Sequence, residues 1–221
     1  MNTIPLPSRR PLRVRRIPGW QSIAAALVRR GVTPNTISLV GLAAGVTGGV
    51  LLAATGGENS RLLLVLSLVL MLARGFCNIL DGIMAVEAGA GTRVGALYNE
   101  VPDRLSDVAV MIGAGHAIGG DPVLGWAAAV AALFTAYVRA VVEVAGARPD
   151  FRGLFGKPGR MVVLAACMLY LIVAPASWHF QIAGLGVIGI GTALVTIGSL
   201  GTSVARLRRA ARELSSPHLT P

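Results

Sequence analysis

Charged side chains are scarce in this chain: Asp, Glu, Lys and Arg together make up 14% of its 221 residues. A water-soluble domain carries about a quarter, so that class is excluded. Aromatic residues are few, at 5%, and cysteine is limited to Cys77 and Cys167, far apart in apolar stretches. Those two are expected to pack as small hydrophobes, which leaves no disulfide and no cysteine metal centre. Lysine is confined to Lys157, so the basic character of the chain is almost entirely arginine. The three histidines, His116, His179 and His218, fall near turns or in the tail and are expected to be interfacial polar residues. A cleavable leader is not expected either, because the N-terminal stretch is polar and rich in Pro and Arg.

What remains is apolar. Hydrophobic residues make up 54% of the chain, in recurring runs of about 20, long enough to cross a hydrocarbon core as helices. The expected architecture is all-α and polytopic, with six transmembrane helices at about 35–55, 61–85, 95–117, 123–146, 161–175 and 181–201. Before them, residues 1–34 form a basic arm and a short amphipathic helix from Gly19 to Gly31, lying in the membrane interface with Trp20 as anchor. Thr33 is placed to cap the first span, with Pro34 at its first position. Residues 202–221 are a basic tail.

The net charge of +10 would point to nucleic acid in a soluble protein. Here it reads as topology and anionic membrane lipid, and no nucleic-acid partner is expected. With the N-terminus in the cytoplasm, 19 of the 20 Lys and Arg fall on the cytoplasmic side and Arg61 alone falls outside. The rule that cytoplasmic loops are basic then fixes an even number of spans with both termini in the cytoplasm, and the expected location is the cell's inner (cytoplasmic) membrane.

Five of the ten acids, Asp81, Glu87, Glu100, Asp103 and Asp107, crowd into one stretch between two apolar segments. Acids in or beside a membrane are costly and mark function by default. Asn78 and Asp81 share one face of the second span, and Asn99, Asp103 and Asp107 form a stripe on the third. If these two helices pack side by side, their oxygens can meet around a hard divalent cation, Mg²⁺ or Mn²⁺ in the absence of convergent His or Cys. Gly82, Gly89, Gly91 and Gly95 allow close approach of a ligand. Thr92 is placed to cap the third span, whose start presents free N–H groups to an anion. Pro102 inside that span is expected to bend it. The sum is a diphosphate–metal site at the cytoplasmic face.

These residues resemble the CDP-alcohol phosphatidyltransferases, whose pattern runs D-x2-D-G-x2-A-R-x8-G-x3-D-x3-D. Asn78, Asp81, Gly82, Ala85, Val86, Gly95, Asn99 and Asp103 hold those places with every spacing preserved. Thr33-Pro34-Asn35 is similar to the family's entry to its first span, and Lys157-Pro158-Gly159-Arg160-Met161 to a basic motif before the fifth. Two family aspartates are asparagine here and the family's arginine is Val86, so the site carries two fewer negative charges, and a second metal ion loses bridging carboxylates. Glu100 and Asp107 could supply charge instead.

The resemblance implies an integral-membrane enzyme that moves a phosphatidyl group from CDP-diacylglycerol to a free or phosphorylated alcohol and releases CMP, in phospholipid biosynthesis. Asp81 and Asp103, with Asn78 and Asn99 as neutral ligands, would hold the metal, and Asp103 would be the general base. Asp81, Gly82, Ala85, Thr92 and Gly95 would line the CDP pocket. Arg139, Lys157 and Arg160 would receive a phosphate on the acceptor. The resemblance also implies a homodimer. Two other readings compete: a CDP-lipid-binding or scaffold protein without turnover on the same fold, and a cation path through Asp81 and Asp103, which the clustering of the acids at one face disfavours.

Overall fold

The computed structural model describes residues 18–57, 60–87, 93–148, 150 and 152–215. Seven α-helices account for most of them: α1 Pro18–Arg29, α2 Pro34–Ala53, α3 Ser60–Glu87, α4 Arg93–His116, α5 Pro122–Val144, α6 Lys157–Val173 and α7 Val187–Ser215. Local chemistry sets several of the starts. Thr33 Oγ1 accepts the Thr36 N–H at 3.2 Å with Pro34 next in line, and Asp121 Oδ1 accepts the Leu124 N–H at 2.8 Å ahead of Pro122. Both are the capping arrangement in which proline sacrifices an N–H that has no helical partner.

Four helical segments, Pro34–Ala53, Ser60–Ala85, Pro122–Val144 and Val187–Ser215, are long and apolar enough to cross a membrane. Their outward side chains, among them Val50, Val69, Val130 and Ile197, are apolar and exposed. That surface is stable in lipid and not in water, and the chain is a membrane protein with transmembrane helices. The third and fifth expected spans are less distinct. Glu100, Asp103, Arg104 and Asp107 interrupt α4, and α6 has only 17 residues.

The final span differs from expectation at both ends. Ala183 and Gly184 turn the chain at φ 52° and 79°, Ile182 and Leu185 pair in an isolated bridge, and α7 starts only at Val187. It then continues through the basic stretch to Ser215, because Arg206 is buried: its Nη1 donates to the Thr135 carbonyl and its Nε to the Arg152 carbonyl.

The organising helix is α2, which packs on both α3 and α4, whereas α3 and α4 touch each other only briefly. The side-by-side packing of those two expected from the sequence is therefore replaced by a wedge. A glycine stripe makes it possible: Gly41, Gly45, Gly48 and Gly49 are buried on α2. A Cβ on Gly113 of α4 would overlap the Gly49 carbonyl, and one on Gly49 the Ala109 carbonyl. Helices lacking side chains at the contact approach closely, the usual source of packing in lipid. Gly113→Val is expected to destabilise the protein by about 3 kcal/mol or more, at or above the upper end for overpacking because backbone must move. A thermal midpoint unchanged in detergent would contradict that packing.

Leu52, Leu64, Met71, Met111, Leu164, Met168, Ile188 and Val195 fill the shared interior of α2, α3, α4, α6 and α7. On the other flank α5 packs on α4 and α7. The loop after α5 is tied to α7 by Asp150, whose carboxylate accepts from Arg209 Nη1 at 2.5 Å and from the Arg152 N–H at 2.8 Å. Partial burial alone would raise its pKa; the Arg209 and Arg152 hydrogen bonds outweigh that and hold it at about 2. A carboxyl depressed in the folded state stabilises above its unfolded pKa of about 3.9 and loses that contribution as pH falls toward 2. Hydrogen exchange in residues 145–156 is therefore expected to be level from pH 5 to 8 after correction for intrinsic rates, and to rise only near pH 2. A protection step near neutrality would contradict this anchoring.

Candidate active site

The polar ends of α3 and α4 are joined by a residue that the sequence pattern did not single out. Arg74 of α3 is buried. Its Nη1 donates to Asn78 Oδ1 at 2.5 Å, one turn along the same helix, and its Nη2 pairs with Asp103 Oδ1 on α4. Nε completes the fork by donating to Ser106 Oγ at 3.1 Å, and that hydroxyl donates in turn to the Pro102 carbonyl at 2.7 Å. The i, i+4 spacing of Arg74 and Asn78 was visible in the sequence; the reach to α4 was not.

Asp81 lies on the same helix and is buried. Its Oδ2 accepts from Ser38 Oγ of α2 at 2.7 Å, while its Oδ1 is buried without a hydrogen-bond partner among the described residues. A carboxylate oxygen left bare inside a protein is costly, and such an atom fits a hard cation. Among the described residues no group of three or more His, Cys, Asp or Glu could hold a metal by themselves. By its burial, the oxygen that fits an ion is Asp81 Oδ1, which ligand oxygens would have to complement.

Asp103, Asp107 and Glu100 are already matched by cations. Lys157 Nζ lies 2.8 Å from Asp103 Oδ1 and 3.3 Å from Asp107 Oδ1, and Arg160 Nη2 lies 3.0 Å from Asp107 Oδ2. Glu100 is shared between Arg104 of its own helix and Arg139 of α5, each at 2.7 Å. Extra charge from Glu100 and Asp107 for a metal, the compensation expected from the sequence, is therefore committed elsewhere. The three cations assigned to an acceptor, Arg139, Lys157 and Arg160, do converge on the N-terminal half of α4, but each faces a carboxylate.

Gly82 is buried, and Ala85, Gly95 and Asn99 are half-buried on the same two helices. Thr92 lies outside the described residues. Helix α1 covers this end of α3: Ala24, Ile83 and Met84 form a small core, and Trp20 stacks near Phe76 with ring centres 5.5 Å apart. Cys77 and Cys167 are both free thiols.

Known proteins resemble this chain in sequence and in fold. The model of the CDP-alcohol phosphatidyltransferase family matches residues 31–200. The phosphatidylinositol phosphate synthase of Mycolicibacterium smegmatis is 33% identical over 191 residues, which is 82% of this chain and 83% of that protein. The solved phosphatidylinositol phosphate synthase of Mycobacterium tuberculosis with CDP-DAG bound superposes with a TM-score of 0.73 at 24% identity, covering 91% of this chain and 98% of that one. A second structure of that protein, in complex with manganese and citrate, has the same TM-score and identity and covers 91% and 93%. The match to the family's model takes in every motif position from Asn78 to Asp103, and the chain belongs to the CDP-alcohol phosphatidyltransferases.

Proposed function

We propose that the protein transfers the phosphatidyl group of CDP-diacylglycerol to an alcohol and releases CMP, at the cytoplasmic face of the inner membrane. The observation that carries this reading is the bare, buried Oδ1 of Asp81 within the family's motif. Mg²⁺ or Mn²⁺ would be held there by Asp81 with Asn99 beside it, Asn78 Oδ1 being taken by Arg74, and when bound it would neutralise the diphosphate and polarise its phosphoryl oxygens. Gly82, Ala85 and Gly95 line the nucleotide's side of the pocket, and the acyl chains run between helices.

Asp103 is the general base. The acceptor oxygen attacks the phosphorus that bears the diacylglycerol, its proton passes to Asp103, and the bond to the CMP oxygen breaks with the electron pair leaving on CMP. Asp103 Oδ1 is occupied by Arg74 and Lys157, whereas Oδ2 lies 4.0 Å from Arg104 Nη2 and is the oxygen proposed to take the proton. Arg139, Lys157 and Arg160 receive the phosphate of a phosphorylated acceptor, which exchanges with the carboxylates that now face them. Because the relatives are named for making phosphatidylinositol phosphate, an inositol phosphate is the first acceptor to try.

Helices α4 and α6 complete six spans, with α1 in the interface and both termini in the cytoplasm. At about 1.5 Å per residue α4 is long enough to cross. The acids of its charged stretch pair with protein cations and not lipid, as buried charges in membranes do. Mass spectrometry of the lipids formed from CDP-diacylglycerol and a panel of free and phosphorylated alcohols tests the function. A new phospholipid with one acceptor supports it; intact CDP-diacylglycerol with every acceptor refutes it.

A second reading, a CDP-lipid-binding protein without turnover, draws support from the two cations on Asp103. Asn78→Asp with Asn99→Asp separates the two: activity arising from none favours the binding protein, and loss from a working enzyme favours a tuned site.

A further inference from the structure

We propose that Arg74 is a built-in cation of the CDP site, standing where a second metal ion would otherwise sit, so that the protein takes one divalent ion per chain. This rests on the seam being the CDP–metal site. Asn78 Oδ1 and Asp103 Oδ1 both accept from a single guanidinium, and Asp103 Oδ2 lies 4.0 Å from Arg104 Nη2. That guanidinium is held from two helices, and a third makes room for it. Asn78 lies on its own helix, Asp103 and Ser106 on α4, and Gly41 of α2 leaves the space open. A Cβ on Gly41 would stand 2.8 Å from Arg74 Nη1 and 3.3 Å from its Cδ. The side chain is 5% exposed and cannot swing aside into solvent without parting these helices.

The charges agree with this arrangement. Asparagine at 78 and 99 in place of the family's aspartates removes two negative charges, and Arg74 adds a positive one in contact with both Asn78 and Asp103. A divalent ion bound to those oxygens would have to displace the guanidinium and lie against it, like charge on like. Asp81 differs: Oδ2 takes the Ser38 hydroxyl and Oδ1 remains bare, one oxygen for one ion. A guanidinium stays charged at any working pH and donates fixed hydrogen bonds, but accepts no lone pair. Arg74 therefore holds Asp103 in place and balances its charge, without dissociating as metal is withdrawn.

The number of ions can be counted without turnover. Mn²⁺ is titrated into the purified full-length chain in lipid nanodiscs containing CDP-diacylglycerol, with free Mn²⁺ read by electron paramagnetic resonance. One Mn²⁺ per wild-type chain is expected. Asn78→Asp with Asn99→Asp is expected to stay at one ion, because Arg74 pairs with the new carboxylate. Adding Arg74→Leu to those two changes is expected to raise the count to two, with spin coupling between neighbouring ions. Two ions in the wild type, or two in the double variant, would overturn the role of Arg74 while leaving the CDP–metal site standing. No bound Mn²⁺ in the wild type would overturn both. Should the triple variant fail to fold, the first two counts decide alone.

Discussion

Asp103→Asn is expected to lower CMP release by about 10²–10⁴-fold, the usual contribution of a positioned general base. The substitution keeps shape, and its carbonyl oxygen can still accept from Arg74 and Lys157, which now contact Asp103 Oδ1. What it removes is the ability to take a proton. The loss should therefore fall on kcat, with KM for CDP-diacylglycerol and the count of bound Mn²⁺ little changed. Full activity in this variant would remove Asp103 from the chemistry, and a lost metal instead of a lost rate would make it a ligand.

Asp81→Asn is expected to act in opposite directions on stability and on activity. In the wild type a buried carboxylate has one oxygen satisfied by Ser38 and one bare. An unsatisfied buried acceptor costs about 1–3 kcal/mol, more when charged. The neutral amide relieves that cost, so the metal-free variant should melt at the same temperature as the wild type or higher. Activity should fall about a thousandfold, because a metal supplies several kcal/mol of transition-state stabilisation and each 1.36 kcal/mol is tenfold in rate. Gain of stability with loss of function is the mark of a strained site. A variant that melts lower and keeps its metal dependence would place the ion elsewhere.

The motif was legible because its spacing is local. Asn78, Asp81, Gly82, Asn99 and Asp103 are arranged by helical period, which sequence carries directly. The cap at Thr33 was legible because Thr-Pro at a helix start is a local signal. The wedge of α2 was not: its face is a glycine stripe in an otherwise apolar helix, so hydrophobic pattern does not say which neighbours it meets. Nor was the pairing of Arg139, Lys157 and Arg160, since their partners lie 39 to 54 positions away on α4. Arg74 was hidden by its own helix, where an arginine in a run of apolar residues reads as a topology signal until Asp103 is brought beside it. The late start of α7 was masked by the apolar residues 180–186, which look like membrane span and instead turn against Gly119, whose carbonyl accepts the Gly186 N–H at 3.0 Å.

One measurement bears on the whole account: CMP released from CDP-diacylglycerol by the purified chain in liposomes with an acceptor panel, in Mg²⁺ and again after chelation. CMP that appears only with the metal, matched mole for mole by new phospholipid, is the expected result. CMP formed equally without metal, or no CMP with any acceptor, would contradict a phosphatidyl transfer centred on Asp81 and Asp103.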